Sequence, residues 1–416
     1  MPIHAVIFED AGFKDLLPLV YWRSVGELRC GTCTLLERIV RYLAPDSISL
    51  WLRDELAEVT CERLEQVDLP ATVNLASRQQ TLFVNARLLL NAPAEPCAVG
   101  EVVEAPGGIA MAHLDARTAA SLSPAQLLEP GDPSQFLAGH KRADGPSDLI
   151  HYPWDLIYAA KDAIQADFQH VGPAKHGRLS AGTTVLGVGG LHLARGAQVM
   201  AGVVIDCEQG PVIIETDAVV HPNCTITGPV VIGPECNIQS MSIIRPGACL
   251  GPHCKVGGEI GASIFQGFSN KQHSGFLGHS VIGEWCNLGA ETVVSNLKNN
   301  YSDVRVALNG TSVDSERTFV GLIMGDHSKT GIGSRFTTGA VVGFSSSVAI
   351  SGITPKFVPS FAWLTDRGAE PHETGKAWYT AQRAVGRRGR SLSQAEEALF
   401  RSIHLKASSI ERHDLF

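Results

Sequence analysis

A six-residue spacing of aliphatic side chains organises the second half of the chain. In steps of six from Ile214, every position is Ile, Leu or Val: Ile214, Val220, Ile226, Ile232, Ile238, Ile244, Leu250 and Val256. An α-helix would show a period near 3.6 residues and a half-buried strand a period of two. A period of six is typical of short strands joined by turns, with one inward aliphatic side chain per strand. The pattern therefore predicts a parallel β-helix over residues 179–358.

The same period returns downstream after two interruptions. Further steps of six give two series: Ile282, Leu288 and Val294, then Val320, Asp326, Ile332, Thr338, Phe344 and Ile350. The phase is lost between Val256 and Leu277 and again between Val294 and Val320. Since segments that leave a regular solenoid commonly carry binding loops, we expect functional residues in these two stretches.

The flanking segments lack this period and predict mixed structure. Short apolar runs at residues 5–8 and 81–84 predict strands, and the apolar positions of residues 35–43 predict a helix. Ser393 and Glu396 form a capping box that predicts a C-terminal helix. The predicted organisation is an α/β domain at 1–150, a helical linker at 151–178, the β-helix at 179–358 and a C-terminal extension at 359–416.

Composition and charge narrow the range of partners. The formal net charge of −8 argues against a nucleic-acid-binding protein, which would carry a basic face. No apolar run is long enough to predict a membrane span, and the acidic start does not resemble a secretory signal. Ten mostly scattered cysteines predict free thiols and a cytoplasmic location. Cys30 and Cys33 form a single CxxC, read either as a redox or metal pair or as small residues at a turn, and no metal site is predicted.

Two basic segments are candidates for binding phosphate. Arg23, Arg29 and Thr32 lie in a Gly-containing stretch just before the first predicted helix, where they would cradle a phosphate; a plain surface turn is the alternative. Arg387, Arg388 and Arg390 precede the last predicted helix. For these three we expect a solvated loop, with a phosphate site as the alternative.

The segment from Lys271 to Ala290 resembles the acetyltransferase domain of the bifunctional N-acetylglucosamine-1-phosphate uridyltransferase/glucosamine-1-phosphate acetyltransferase family. It reads KQHSGFLG, then IGEWCNLGA, and an Arg-Pro-Gly begins at Arg245. The resemblance implies that His273 is the general base and that Arg245 binds a sugar phosphate. It also implies that Asn287 and Asn296 are active-site asparagines, with Lys271 as a further substrate contact.

The resemblance also implies a fold, an assembly and reactants. It implies a left-handed β-helix, a homotrimer with active sites between subunits, acetyl-CoA as a substrate and a small sugar phosphate as the other. The whole chain resembles a divergent bacterial branch of sugar nucleotidyltransferases, through the segment LLPL at residues 16–19 and RSVGELRCG at residues 23–31. Nucleotidyl transfer with Mg²⁺ is the activity that this branch implies for the N-terminal domain.

The N-terminal domain departs from that family at two motifs. Phe8-Glu9-Asp10 stands where the family has a Gly-rich phosphate loop after the first strand. Asn85-Ala86-Arg87 stands where a magnesium-binding Asp follows an Asn-Gly pair. In the β-helix, Phe276 replaces a substrate tyrosine.

Acyl transfer from a thioester to an amine is the predicted reaction, and two other functions remain open. His273 would accept the amine proton, Arg245 would hold the anionic end of the substrate, and Asn287 and Asn296 would position the amine. The first alternative is a zinc enzyme like the γ-class carbonic anhydrases, using His253, His273 and His279. The second is a scaffold that binds sugar phosphates without turnover.

Overall fold

The computed structural model describes residues 2–66, 71–129 and 139–412. The N-terminal region is a seven-stranded sheet with helices on it. In sheet order its strands are Ala71–Val73, Ser47–Trp51, His4–Phe8, Thr81–Asn85, Gly108–Leu114, Glu101–Ala105 and Lys141–Arg142. The strand His4–Phe8 is central and runs parallel to both of its neighbours. This confirms the predicted α/β region and its two predicted strands.

Seven α-helices lie in the described residues. They are α1 (Leu35–Leu43), α2 (Ala57–Gln66), α3 (Ala116–Ala119), α4 (Pro124–Leu128), α5 (Pro153–Val171), α6 (Thr374–Gly386) and α7 (Gln394–Glu411). Helix α1 begins at a capping box between Thr34 and Glu37, and it ends where Ala44 adopts a left-handed conformation. Helix α7 begins at the predicted capping box of Ser393 and Glu396, so that prediction is confirmed.

Residues 174–365 form a parallel β-solenoid with three faces. Face one carries Ala174–Lys175, Leu191–Leu193, Val212–Ile214, Val230–Ile232, Ala248–Leu250, Ile264–Gly267, Val281–Glu284, Leu322–Met324, Ala340–Val342 and Phe357–Val358. Face two carries Arg178–Leu179, Gln198–Val199, Val219–Val220, Asn237–Ile238, Lys255–Val256, Asn270–Lys271, Lys329–Thr330, Ser347–Ala349 and Ala362–Thr365, and after the solenoid Gly368–Pro371 pairs antiparallel with the last of them. Face three carries Thr184–Leu186, Val204–Asp206, Thr225–Thr227, Ile243–Ile244, Glu259–Gly261, Phe276–Gly278, Val293–Val294, Arg335–Phe336 and Ile353–Thr354.

The inward column confirms the first aliphatic series and corrects the last. All eight residues from Ile214 to Val256 are fully buried in the solenoid core. The series from Val320 is wrong in phase, because Ile332 is 82% exposed and Phe344 packs outside the solenoid. The inward positions are instead Met324, Thr330, Phe336, Val342, Val348 and Thr354. Two of these positions are threonines, Thr330 and Thr354, so the spacing of aliphatic residues alone does not show this phase.

The two interruptions have different causes. Between Val256 and Leu277 the strands continue without an excursion, but the coils shorten, because the inward residues Val256, Ile260 and Phe265 are four and five residues apart. The next inward position is occupied by the fully buried Lys271. Between Val294 and Val320 the chain does leave the solenoid, and it forms a hairpin of Arg305–Leu308 and Thr311–Asp314. Only the second interruption is therefore a true insertion.

Face one is covered by the rest of the chain. Its central strands alternate inward and outward side chains, and the outward apolar residues join one core with the N-terminal domain and the C-terminal helices. These outward residues are Ile213, Val231, Cys249, Ile264, Val281, Ile323 and Val341. At the end of helix α7, Glu411 accepts hydrogen bonds from Tyr21 and from Ser360. The N-terminal domain, solenoid and tail are therefore packed together, and the predicted fold class is confirmed.

Candidate functional site

In the N-terminal sheet, the crevice where an open α/β fold binds ligands is filled by ion pairs. This crevice lies beyond the carboxyl ends of the parallel strands, where the strand order reverses around His4–Phe8. Directly after this strand, Glu9 is buried, and it accepts hydrogen bonds from Arg53 Nε at 3.0 Å and from the backbone N–H of Val25 at 2.8 Å. Glu9 therefore holds neighbouring loops together and does not face an open site.

Asp10, the next residue, is likewise held by contacts inside the domain. Asp10 is buried and accepts from Arg87 Nη2 at 2.5 Å and from Asn85 Nδ2 at 2.8 Å. Arg87 is 1% exposed and fills the space over Gly12, where an added Cβ would meet its guanidinium carbon at 2.7 Å. Asp10, Asn85 and Arg87, which belong to the two motifs that depart from the nucleotidyltransferase pattern, therefore form one internal cluster. This cluster closes the crevice.

The predicted phosphate cradle forms a junction between domains. The buried Arg23 pairs with Asp326 and, at 3.2 Å, with Glu284, both of the solenoid. Arg29 donates its backbone N–H to Gln266 and its guanidinium to the Thr32 carbonyl. The backbone N–H of Thr32 donates to Asp167 at 2.7 Å. Arg23 and Arg29 also line a cavity of about 520 Å³ at this junction, together with the carboxylates of Glu27, Glu62, Glu284 and Glu396. The expected cradle is thus part of an interdomain cavity of mixed charge, and Arg23 and Arg29 are partly committed to contacts with the solenoid.

His273 is presented to solvent at the corner between faces two and three. It follows the strand Asn270–Lys271, its side chain is exposed, and its backbone carbonyl accepts from Lys271 Nζ at 2.9 Å. Lys271 Nζ also donates to the carbonyls of Gly257 and Ser274, at 3.3 and 3.2 Å. Burial lowers the pKa of Lys271 to about 8. Lys271 is therefore an internal anchor of the corner that carries His273, which corrects its expected role as a substrate contact.

Arg245 and Asn296 lie along the edge of face three next to face one, separated by two glycines. Arg245 leans over Gly261, where an added Cβ would meet the Arg245 Cβ at 3.2 Å. Asn296 reaches over Gly278, where an added Cβ would meet its amide nitrogen at 2.5 Å. The missing side chains at Gly261 and Gly278 thus leave room for Arg245 and Asn296 to lie over these strands. Arg245 is 57% exposed and pairs with Glu259 at 2.6 Å.

Asn296 has a partner that the sequence did not reveal. Its amide nitrogen lies 2.8 Å from Nδ1 of His279, and the ring of His279 stacks on Phe319 at 5.0 Å. Burial, followed by the charge of Lys161, lowers the pKa of His279 to about 4. A neutral His279 accepts the amide hydrogen of Asn296 and fixes its orientation.

Asn287 belongs to a different face. It continues the ladder of face two between Asn270 and Lys329, and it lines a cavity of about 350 Å³. Lys255, Lys329, Arg387 and Arg388 line the same cavity, which we call the basic groove. Arg388 is half-buried and donates to Asn270 Oδ1 at 2.8 Å. The two arginines close the groove from the end of helix α6, so they do not form the free solvated loop that the sequence suggested.

The histidines considered for zinc lie at separate corners. His253 stacks on Phe268 at 4.6 Å, Phe268 on Trp285 at 4.4 Å, and Trp285 faces His327 at 6.4 Å, so these rings form a ladder along the corner between faces one and two. His273 and His279 occupy the two opposite edges of face three. Among the described residues no group of three His, Cys, Asp or Glu side chains lies close enough to share a metal ion.

The predicted acyl-transfer residues therefore do not converge within one chain. His273 lies at one edge of face three, Arg245 and Asn296 at the other, and Asn287 on face two. One part of the basic groove was visible in the sequence, because Arg387 and Arg388 are adjacent. What the sequence could not provide was the path of helix α6, which brings them against Lys255 and Lys329.

Face three is largely uncovered in the single chain and unusually apolar. Six apolar side chains on it or at its corner with face two are exposed: Leu186 at 40%, Met241 at 77%, Ile243 at 41%, Val293 at 37%, Ile332 at 82% and Ile353 at 63%. Exposed apolar side chains that recur along one side of a fold make it a candidate interaction surface. Within the described chain, no helix combines the length and hydropathy that crossing a bilayer requires.

Comparison with known proteins finds one matching family model and several relatives that match part of the chain. Residues 5–174 match the family described as sugar nucleotidyl transferase. The chain is 34% identical over 161 residues to the bifunctional protein GlmU of Methanocaldococcus jannaschii, covering 38% of this chain and 39% of that protein. It is 35% identical over 137 residues to a bifunctional sugar-1-phosphate nucleotidylyltransferase/acetyltransferase of Sulfurisphaera tokodaii, covering 32% and 34%.

These matches span about two fifths or less of the relatives' own length. Among solved structures, the polySia-specific acetyltransferase NeuO aligns over 47% of this chain and 83% of its own, with 15% identity and a TM-score of 0.25, too low to establish a common fold. The chain is thus similar to bifunctional sugar nucleotidyltransferase/acetyltransferases, which confirms the resemblance predicted from its motifs.

Proposed function

We propose that the chain is a transferase of sugar-nucleotide metabolism that moves an acyl group from acyl-CoA to an amino-sugar phosphate. The observation that carries this proposal is His273, which lies inside the acetyltransferase-like motif and is held exposed at a solenoid corner by the buried Lys271. An exposed imidazole on a rigid backbone suits a base that must reach a diffusing amine. Acetyl is the acyl group that the resemblance favours.

The chemical steps require few groups. The amine nitrogen attacks the thioester carbonyl, the C–N bond forms, the C–S bond breaks, and the CoA thiol leaves. His273 takes the proton lost by the nitrogen and returns it to the departing sulfur. A backbone N–H stabilises the oxyanion. Arg245 holds the phosphate of the acceptor, and Asn296, oriented by His279, positions its amine. Asn287 lies on face two in the basic groove, so it does not share this task within one chain.

We propose further that the site is completed by a second copy of the chain in a homotrimer. His273 and the pair of Arg245 and Asn296 lie at opposite edges of face three, so one chain does not bring them together. The exposed apolar residues of face three supply a surface that a second copy would bury. Packing face three between copies would place the His273 edge of one subunit beside the Arg245 edge of the next.

A second candidate function is nucleotidyl transfer by the N-terminal domain, with Mg²⁺. The match of residues 5–174 to sugar nucleotidyl transferases favours it. The ion pairs of Glu9 and Asp10 oppose it, because Arg53 and Arg87 occupy the crevice that a nucleotide would enter. The ten free cysteines suit a reducing compartment, and we place the protein in the cytoplasm.

The test of acyl transfer is the release of free thiol from acetyl-CoA with a panel of amino-sugar 1-phosphates and nucleotide-linked amino sugars. We expect turnover with at least one acceptor and its loss in His273→Ala. His221→Ala is the matched control, because His221 follows the strand Val219–Val220 at the same corner of an earlier coil. Equal rates for wild type and His273→Ala would refute the assignment of the base.

A further inference from the structure

The basic groove has an unbalanced charge. Its lining includes Lys255, Lys329, Arg387 and Arg388 but no aspartate or glutamate among the described residues. By contrast, three arginines elsewhere in the chain have their charge neutralised by ion pairs. Arg23, Arg53 and Arg87 each lie within 3.2 Å of a carboxylate oxygen. The groove thus differs from the structural ion-pair clusters elsewhere in the molecule.

The polar contacts made inside the groove leave its charge unneutralised. Arg388 donates to the amide oxygen of Asn270 at 2.8 Å, and Lys329 Nζ donates to the carbonyl oxygen of His327 at 2.6 Å. Both acceptors are neutral, and no ion pair with a carboxylate was found for the four cations in the described part of the chain. Four positive charges in one cleft repel each other, which an anionic ligand would relieve.

The electrostatics of the individual cations reflect this crowding. Burial, followed by the charges of Arg388 and Arg387, lowers the pKa of Lys255. Burial also lowers the pKa of Lys329 to about 8. A bound anion would raise both pKa values again, because it stabilises the protonated amines.

The other side chains of the groove add hydrogen-bond donors. Asn270, Gln272 and Asn287 line it beside the cations. Gln272 directly precedes His273, so the groove begins next to the proposed base. Cations combined with amide donors form a typical phosphate site, and a cavity of about 350 Å³ accommodates a phosphate ester.

We propose that the basic groove binds the phosphate group of one of the two reactants, with Arg387 and Arg388 of the C-terminal segment closing over it. This inference rests on the proposed function and adds a binding site to it. The phosphate belongs either to the acyl-CoA donor or to the amino-sugar phosphate acceptor, and in the second case the groove replaces Arg245 as the site of the acceptor's phosphate. In both reactants, the group that the groove would bind is a dianionic phosphate ester.

The test is calorimetric titration of the full chain with CoA, 3′-dephospho-CoA, glucosamine 1-phosphate and inorganic phosphate. In the double variant Arg387→Gln/Arg388→Gln we expect at least one of these probes to bind about tenfold or more weakly. Arg383→Gln is the matched control, because Arg383 is exposed one turn earlier on helix α6 and does not line the groove. Lys255→Gln, on a solenoid strand, repeats the test independently of the tail.

The pattern of loss identifies the ligand. Weakened binding of CoA but not of 3′-dephospho-CoA assigns the groove to the 3′-phosphate of the donor, and weakened binding of glucosamine 1-phosphate assigns it to the acceptor. Unchanged affinities in both groove variants, or a wild type that binds none of the four probes, would overturn the proposal. The assay requires no turnover and can be repeated in His273→Ala. Groove-dependent binding without acyl transfer would therefore separate failure of the proposed function from failure of this inference.

Discussion

Replacing Lys271 by methionine tests how the corner that carries His273 is built. Methionine has a similar length but offers no donor to the carbonyls of Gly257, His273 and Ser274. Leaving a buried carbonyl without its donor costs about 1–3 kcal/mol. Removing the buried charge relieves its desolvation cost and offsets part of the loss of three hydrogen bonds. We therefore expect a net loss of about 2–4 kcal/mol in the free energy of unfolding at neutral pH.

The pH dependence gives a sharper signature than the loss itself. Burial holds the pKa of Lys271 at about 8 in the folded state, against 10.5 for a solvated lysine. Between these values the unfolded chain binds more protons than the folded chain, so the lysine's contribution to stability rises as the pH rises. From pH 7 to about 9.5 the wild type should gain about 2 kcal/mol relative to Lys271→Met.

The assay is urea unfolding followed by circular dichroism at several pH values. Lys175→Met, at an exposed position on the first solenoid strand, is the control. Its free energy of unfolding should differ from that of the wild type by the same amount at every pH. If the difference in free energy of unfolding between Lys271→Met and the wild type were also independent of pH, burial would not lower the pKa of Lys271. The variant should also slow acyl transfer, because it displaces the corner that carries His273.

Three further predictions concern the domain junction, the N-terminal crevice and face three. Arg23→Met should lower the free energy of unfolding by about 3–5 kcal/mol, measured by urea denaturation, because it leaves the buried Asp326 without its cation; a loss below about 1 kcal/mol would contradict this. UTP with Mg²⁺ should produce no thermal stabilisation of the wild type, since Arg87 fills the crevice; stabilisation that disappears in Asp10→Asn would show that the crevice opens. If the chain forms the proposed homotrimer, Met241→Asp combined with Ile332→Asp should convert it to monomers in sedimentation velocity and abolish turnover, whereas a monomeric wild type would contradict the shared site.

The repeat was the most readable part of the sequence, because one buried side chain per strand leaves a periodic signal. Ile214 to Val256 could be placed inside the solenoid from spacing alone, and all eight are buried there. Where polar residues take inward positions the signal fails. Lys271 is compensated by three carbonyls and Thr330 by neighbouring polar groups, and neither contact is visible in the order of the residues.

The candidate site was predictable only as far as local motifs reached. The motif around His273 identified an exposed corner, but the partner of Asn296, His279, was assigned to a zinc alternative. Arg23 and Arg29 looked like a phosphate cradle because a run of residues does not show what packs against it, and here the solenoid does. The basic groove needs Lys255, Lys329 and Arg388, which are far apart in sequence, so only the folded chain reveals it.

The most direct test of acyl transfer by His273 is the mass of the acceptor after incubation with acetyl-CoA. The wild type and His221→Ala should each add one acetyl group to an amino-sugar phosphate, and His273→Ala should leave it unchanged. An acceptor recovered unmodified from the folded wild type, across the whole panel of amino sugars, would contradict the proposed function.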